Sequence, residues 1–282
     1  MEDIPTVYCV VPVYNRLEVT KRFLEYINKQ DYLAIHTVIV DDGSSDGTGE
    51  YLAQLSQSNL TVLKGDGDLW WGGAMHLGMS YVMKVAKASD YLLMLNDDVI
   101  IMQNYISTLV KESVANCVAV VGSSQRDEVS GKLMGSGFHI NYWSMRLISV
   151  ECEDQNVTVN ALPGRGVLFP MCAVLAAGTI NLKCFPHYFS DLEYTARVGE
   201  RGFNLILSKK ANVFSSAESS DMHVRNKGLF AEYFSFRSRN NLLHRVLFFS
   251  IRGPILLRIW SLPRFLIVLF LSFKGRFYGQ SK

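Results

Sequence analysis

Asn96, Asp97 and Asp98 directly follow Tyr91-Leu92-Leu93-Met94-Leu95, so an amide and two adjacent carboxylates close a run of apolar and aromatic residues. A continuous apolar run of that length predicts a strand buried on both faces, the habit of parallel sheets. The acids then stand at its carboxyl end, where open α/β sheets bind their ligands. Neighbouring carboxylates repel unless a cation or a hydrogen-bonded ligand offsets them. A hard divalent ion, Mg2+ or Mn2+, carrying a substrate diphosphate would do so. An isolated Asp-Asp pair fits a solvated turn equally well, and what surrounds it must decide.

A second pair has the same placement. Thr37–Val40 reads as a strand, and it runs into Asp41-Asp42-Gly43-Ser44-Ser45-Asp46-Gly47-Thr48. A calcium loop counted from Asp42 fails, because its twelfth position needs a bidentate Glu and holds Ala53. Asp46 or Ser45 suits a helix cap in an ordinary polar turn. Asp41 and Asp42, by contrast, end a buried strand as Asp97 and Asp98 do, and two parallel strands ending in paired acids outline one pocket. The first strand, Thr6–Val13, leads into Tyr14-Asn15 rather than a glycine-rich turn, which disfavours a dinucleotide fold. No P-loop pattern occurs.

The elements that must position these acids alternate. A helix follows the first strand, with Leu17, Phe23, Leu24 and Ile27 near helical spacing; Leu60–Leu63 is a short strand, and Ala74–Lys87 is helical in pattern. After the strand Tyr91–Leu95 come a helix over Tyr105–Asn116 and a strand over Cys117–Gly122. Strand and helix in turn predict right-handed βαβ units and a mostly parallel sheet flanked by helices. Arg126–Pro163 is more polar and reads as hairpins. Phe189–Arg201 is helical and Leu205–Leu207 a short strand. The expected organisation is one domain over 1–243, dividing near residue 123, then a helical tail over 244–282.

Composition narrows the partners. The 282 residues carry a net charge of +2, with 49% hydrophobic and 19% charged residues. That suits a globular α/β protein and disfavours nucleic acid as a partner. The five cysteines are odd in number and widely spaced, so neither a zinc site nor a disulfide framework is indicated, and reduced thiols in a cytoplasmic protein are expected. The acidic start, Met1-Glu2-Asp3-Ile4-Pro5, is unlike a secretory signal. From Val246 to Phe273 the chain is rich in Leu, Ile, Phe and Val, with Trp260, and is interrupted by Arg252, Arg258 and Arg264. Its longest uncharged stretch, Phe265–Phe273, is far short of the roughly 18–20 residues of a spanning helix. Pro254 and Pro263 divide the region into short helices. Basic residues among apolar ones predict a segment lying in a membrane interface, peripheral on the inner face of the cell membrane. The alternative is that these helices finish the core.

The ordered set Val10-Val11-Pro12-Val13-Tyr14-Asn15-Arg16, Val40-Asp41-Asp42-Gly43-Ser44-Ser45-Asp46-Gly47-Thr48 and Leu95-Asn96-Asp97-Asp98 closely resembles family 2 glycosyltransferases. These are nucleotide-sugar enzymes of the A-type fold. The likeness is closest to bacterial transferases that build O-antigen, capsule and related surface polysaccharides, including rhamnosyltransferase-like members, and it covers roughly Thr6 to Asn241. It implies that Pro12, Tyr14 and Asn15 line the nucleoside pocket and that Asp42 hydrogen-bonds the base. It places Asn96 and Asp97 toward the ribose and sugar, Asp98 on Mn2+ or Mg2+, and His223 near the metal and diphosphate. The glycine-rich Gly65-Asp66-Gly67-Asp68-Leu69-Trp70-Trp71-Gly72-Gly73 would start the helix that approaches the donor, with Trp70 or Trp71 stacking on sugar. Gly164-Arg165-Gly166 resembles the loop behind the donor sugar, and Arg237, Arg239 and Asn240 match a pattern that orients the base-bearing helix or contacts the acceptor. In Phe189-Ser190-Asp191-Leu192-Glu193, Asp191 falls at the catalytic base, with Glu193 in reserve. The usual acid before the base is here Ser190.

The expected reaction is therefore an inverting, metal-dependent transfer from a UDP- or dTDP-sugar to a hydroxyl of a glycan or polyprenyl-linked acceptor. Two rivals come from other classes. A sugar nucleotidyltransferase would need a glycine-rich basic signature after the first strand, which Val13-Tyr14-Asn15-Arg16 lacks. A non-catalytic membrane-bound scaffold would have no reason to hold both Asp98 and Asp191.

Overall fold

The computed structural model describes residues 4–215, 241–260, 263–264 and 266–267. In chain order the first half comprises β1 (Val7–Val13), α1 (Leu17–Asn28), β2 (Ile35–Asp41), α2 (Thr48–Gln54), β3 (Leu60–Lys64), α3 (Trp70–Val85), β4 (Tyr91–Met94), β5 (Ile100–Ile101), α4 (Tyr105–Ala115) and β6 (Val120–Asp127). The second half adds β7 (Leu133–Met134), β8 (Gly137–Asn141), β9 (Arg146–Val150), β10 (Val157–Thr158), β11 (Val167–Pro170), α5 (Met171–Ala177), α6 (Ser190–Glu200) and β12 (Leu205–Ser215). Two further helices follow, α7 (Leu242–Arg252) and α8 (Ile255–Ile259).

The main sheet runs β10-β12-β6-β11-β4-β1-β2-β3. Strands β3, β2, β1 and β4 are mutually parallel, as are β12 and β6, while β11 lies antiparallel between β4 and β6. The chain winds from β1 outward to β3 and then returns to place β4 on the other side of β1, so the winding reverses between β1 and β4. Ligands of open α/β sheets bind beyond the carboxyl ends of the strands at such a reversal.

Side chains alternate across the sheet because successive residues of a strand point to opposite faces. Val7, Cys9, Val11 and Val13 of β1 join Phe23, Leu24 and Ile27 of α1 and Leu109 of α4 on one face. Val10 of β1 and Leu92 and Met94 of β4 join Met75, Met79 and Val82 of α3 and Tyr194 and Val198 of α6 on the other. The result is a three-layer α/β/α domain. Asp90 starts β4 by accepting from the Thr6 amide (2.8 Å) and the Lys87 amide (2.7 Å), which brings β4 beside β1.

The structure departs from the sequence reading in several places, among them β6, which starts at Val120 rather than Cys117 and runs on to Asp127. Helix α3 begins at Trp70 rather than Ala74, β12 extends to Ser215 through an irregularity after Ser208, and the expected boundary after residue 243 falls inside α7. Phe248 and Phe249 of α7 are buried with Phe185, Ala196 of α6 and Met145 beside the β8–β9 hairpin, so α7 completes the domain. The exposed apolar surface begins with α8: Ile255, Leu256, Trp260, Leu266 and Ile267 are each more than half exposed. Among the described residues no helix is long and apolar enough to cross a membrane.

Candidate active site

The loops after β1 and β2 are built as one unit. Asn15 has a left-handed backbone (φ 50°) that most side chains avoid. Its amide donates to Ser44 Oγ (2.9 Å) and its side-chain oxygen accepts from the Ser45 amide (2.7 Å). Asp46 accepts from the Leu17 amide (3.0 Å) and the Thr48 amide (3.1 Å), and so serves the first turns of α1 and α2 together. Asp41 turns inward to the Ser44 amide (3.0 Å). Pro12 stands in register with Val40, and Tyr14 lies exposed on the rim.

Asp42 is buried and its carboxylate anchors the glycine-rich segment. Oδ1 accepts from the Gly67 amide (2.9 Å) and the Leu69 amide (3.2 Å), and Oδ2 from the Trp70 amide (3.0 Å). This organising duty was not legible in the resemblance, which implied only a contact to the base. Trp70 is held in the left-handed region (φ 59°), sends its indole N–H to Asp68 (2.6 Å) and meets His187 edge-on at 5.3 Å. The Trp71 indole donates to Asn96 Oδ1 (2.8 Å), and a methyl group at Gly164 would lie 2.4 Å from its ring. Trp71 therefore fills the space between the loop after β4 and the loop before β11. Gly72 lets α3 approach the loop before α6, since a methyl group there would sit 2.4 Å from the Pro186 carbonyl oxygen.

Asp97 and Asp98 follow β4. Arg16 Nη1 lies 3.0 Å from Asp97 Oδ1 and 3.4 Å from Asp98 Oδ2, and Arg165 Nη2 approaches Asp98 Oδ2 at 3.9 Å. Burial pushes the Asp97 carboxyl up to about 6; Arg16 opposes the shift and Asp98 adds to it. Asp97 Oδ2 and Asp98 Oδ1 are buried with no hydrogen-bond partner among the described residues. Unpartnered buried carboxylate oxygens are rare and call for an explanation. Two of them, beside a third oxygen already shared with cations, fit a hard divalent ion that takes oxygen ligands. Among the described residues no third metal-ligating side chain joins them, so a diphosphate or water would supply further ligands.

Asp191 lies in the first turn of α6, beside Gly164 and the ring edge of Trp71. The preceding Phe189 is left-handed (φ 66°), and Ser190, buried, donates to the His187 carbonyl (2.5 Å). Asp191 Oδ2 accepts from the Gly164 amide (2.8 Å) and Oδ1 from the Leu192 amide (2.8 Å). Thr195 ties the same helix to Leu162 by accepting from its amide (3.0 Å). Burial raises the Asp191 pKa above the ordinary carboxylate value, while the two amides and the nearby Arg165 pull it back. Some of its surface stays open to solvent. Such a carboxylate is fixed in direction and partly desolvated, as a general base requires.

The structure thus brings Pro12, Asn15, Asp42, Trp70, Trp71, Gly72, Asn96, Asp97, Asp98, Arg165 and Asp191 to one rim of the sheet, with Tyr14 at its outer edge. Glu193 turns away. Its side chain is 1% exposed and holds Arg197 through both oxygens (3.0 and 3.1 Å), with Arg252 of α7 at 3.6 Å. The reserve role at the base does not fit that position, because the 3.6-residue helical period sends residues two apart to different faces. Arg16 is the site residue that sequence reasoning did not single out, although it closes the first motif. His223, Arg237, Arg239 and Asn240 lie outside the described residues.

Comparison with known proteins agrees with this geometry. A family model described as glycosyl transferase family 2 matches residues 8–167, which is more than half of the chain. The chain is 35% identical over 105 residues to Glycosyltransferase GlyG of Streptococcus pneumoniae serotype 4, across 36% of this chain and 33% of that protein. It is 29% identical over 106 residues to Glycosyltransferase GlyA of the same organism, across 37% of this chain and 14% of the other. The matched segments therefore span a third or less of these relatives. The fold resembles the mannosyltransferase PcManGT of Pyrobaculum calidifontis in complex with GDP-Man and Mn2+, at TM-score 0.57 and 14% identity, over 96% of this chain and 76% of that one. GalNAc-T7 with UDP, GalNAc and Mn2+ aligns at TM-score 0.60 and 16% identity, over 76% of this chain and 43% of that one. The chain has the A-type glycosyltransferase fold and belongs to glycosyl transferase family 2.

Proposed function

We propose that this chain transfers a sugar, with inversion, from a nucleoside-diphosphate sugar to a hydroxyl of a glycan or lipid-linked glycan acceptor in the assembly of a bacterial surface polysaccharide. The observation that carries this reading is that Trp71 links two acidic sites: its indole donates to Asn96, next to the Asp97–Asp98 pair with its unpartnered oxygens, and its ring edge meets Gly164, whose amide with that of Leu192 fixes the Asp191 carboxylate. A single displacement needs a base and a leaving-group site on opposite sides of the sugar. The ionised Asp191 takes the proton of the acceptor hydroxyl as that oxygen forms its bond to the anomeric carbon. The bond from that carbon to the diphosphate breaks, and its electron pair leaves on the phosphate oxygen. Asp98 with Asp97 would hold a divalent ion, Mn2+ or Mg2+, which would neutralise charge on the departing diphosphate. Arg165, within reach of both Asp98 and Ser215, adds a fixed positive charge to the same side. Trp71 and Asn96 form the wall against which the sugar is oriented. Relatives in fold described with GDP-Man or with UDP, each with Mn2+, support a nucleotide-sugar donor, of which UDP- and dTDP-sugars are the first to test.

The exposed face of Ile255, Leu256, Trp260, Leu266 and Ile267 supports attachment to the inner surface of the cell membrane, where a polyprenyl-linked acceptor would be presented. The deciding experiment is a thermal-shift screen of UDP-, dTDP- and GDP-sugars with and without Mn2+. A donor at 100 times its dissociation constant stabilises by about 2.7 kcal/mol. Stabilisation by one class of nucleotide sugar, enhanced by Mn2+, supports the reading; no response to any of them defeats it.

A further inference from the structure

Arg16 lies where a cation is needed. Its guanidinium spans both carboxylates of the acid pair, at 3.0 Å from Asp97 and 3.4 Å from Asp98, while Arg165 reaches Asp98 at 3.9 Å. Two guanidinium groups therefore already offset this pair of carboxylates, with Arg165 also near Asp191. Asp97 is 3% exposed and its second oxygen has no partner among the described residues. The pair is thus neutralised but not saturated. The position of Arg16 is also fixed by construction, because it follows the left-handed Asn15 that Ser44 and Ser45 clamp, and precedes the α1 turn capped by Asp46. Its side chain is 44% exposed, so it has room to move away from the carboxylates without repacking the core.

Charge balance then decides the order of events. A divalent ion arriving alone would join two carboxylates already matched by two guanidinium groups, and the cluster would carry excess positive charge at short range in a partly desolvated site. An ion arriving with a diphosphate brings negative charge of at least its own size, and the cluster is balanced with both arginines kept. We infer that Arg16 is the resident counter-ion of the acid pair and makes divalent-cation binding conditional on the diphosphate. This rests on the proposed nucleoside-diphosphate donor and adds to it a gate: the acids are not an open metal site in the resting protein.

The test is Mn2+ binding to the whole chain, read from the electron paramagnetic resonance signal of free Mn2+, alone and with saturating UDP, GDP or dTDP. Wild type should bind Mn2+ alone at least about tenfold more weakly than with the diphosphate it accepts. Arg16→Met should bind Mn2+ alone at least about tenfold more tightly than wild type, and should lose most of the dependence on diphosphate. Arg16→Lys keeps the charge and should behave as wild type; Arg16→Gln serves if the Met variant does not fold. Equal Mn2+ affinity of wild type with and without diphosphate overturns the gate, as does an Arg16→Met or Arg16→Gln affinity for Mn2+ alone that matches wild type. Absence of Mn2+ binding to every form with every diphosphate would instead remove the donor reading, and the gate with it.

Discussion

Asp191 and Glu193 stand two residues apart on α6, and substituting each by its amide should separate catalysis from architecture. In Asp191→Asn the side chain keeps its shape but can accept from only one of the Gly164 and Leu192 amides. Losing one such bond to a charged acceptor costs roughly 1.5–3 kcal/mol. Opposing this, the Asp191 pKa is raised by burial. A carboxyl with a raised folded pKa contributes stability below its unfolded value near 3.8, and that contribution is lost as pH rises through the folded value. The neutral amide escapes that loss at pH 7, so the net change in stability should stay within about 2 kcal/mol. Transfer, by contrast, should fall by roughly 10²–10⁴. In Glu193→Gln the order reverses. Its carboxylate is 1% exposed and faces Arg197 and Arg252, which are themselves 15% and 16% exposed. Removing one partner of a buried ion pair leaves uncompensated charge and costs about 3–5 kcal/mol. The measurements are urea unfolding followed by circular dichroism, and initial transfer rates on folded protein. If Glu193→Gln unfolds at the wild-type urea midpoint yet loses transfer a hundredfold, or if Asp191→Asn turns over normally, the assignment of base and strut is wrong.

Four further outcomes are expected. Asp98→Ala should weaken Mn2+ dependence and nucleoside-diphosphate affinity together, because one bridges the other, and full wild-type turnover in excess chelator would leave the acids to the ribose alone. Gly72→Ala should lower activity, because its methyl group meets the Pro186 carbonyl at 2.4 Å and must part α3 from the loop carrying Asp191; a crystal structure of the variant would show the displacement. The rate of transfer at saturating donor should fall on acidification through a midpoint above the ordinary carboxylate value, since the base must be ionised and burial raises its pKa, and a pH profile of kcat will show whether that limb moves in Asp191→Glu. Truncation after Leu243 should prevent folding by removing the buried Phe248 and Phe249, whereas truncation after Gly253 should keep the fold and reduce binding to anionic vesicles in flotation assays.

The strands near the site were legible because each is a short apolar run closed by polar residues, and the period of two fixes which side chains enter which layer. The start of α3 was not, because Gly72 and Gly73 are poor helix formers; their small size is needed where the helix meets Pro186 and Leu69, a contact with no local signature. Gly164-Arg165-Gly166 matched a loop motif, but the antiparallel strand β11 that follows it, between β4 and β6, was not read, since strand partners distant in sequence leave no mark on local pattern. The same limit hid the role of Glu193. Its spacing from Asp191 was visible, but its partner Arg252 lies on α7, a helix whose apolar residues looked like surplus surface until Phe248 and Phe249 were seen against α6. The membrane-facing expectation now concerns the shorter stretch from Ile255 onward; the residues after Ile267 lie outside those described.

Three of the six left-handed non-glycine residues among those described fall on the same rim. Asn15, Trp70 and Phe189 are all left-handed non-glycine residues, and each immediately precedes or begins a segment that presents a site side chain: Arg16, Trp71 and Asp191. Such conformations cost about 1–3 kcal/mol apiece and persist only where surroundings over-determine them. Here the restraints are explicit. Ser44 and Ser45 hold Asn15, the Asp42 carboxylate holds Trp70, and packing on Phe248 at 5.5 Å holds Phe189. Two of these three restraints come from the acidic turn after β2, and the third comes from α7. The acidic turn therefore acts chiefly as a jig that aims two other loops, and α7, far along the chain, completes the aim of Asp191. A family signature read as a set of ligand contacts is, in this chain, in large part the means of holding strained loops in place around the proposed site.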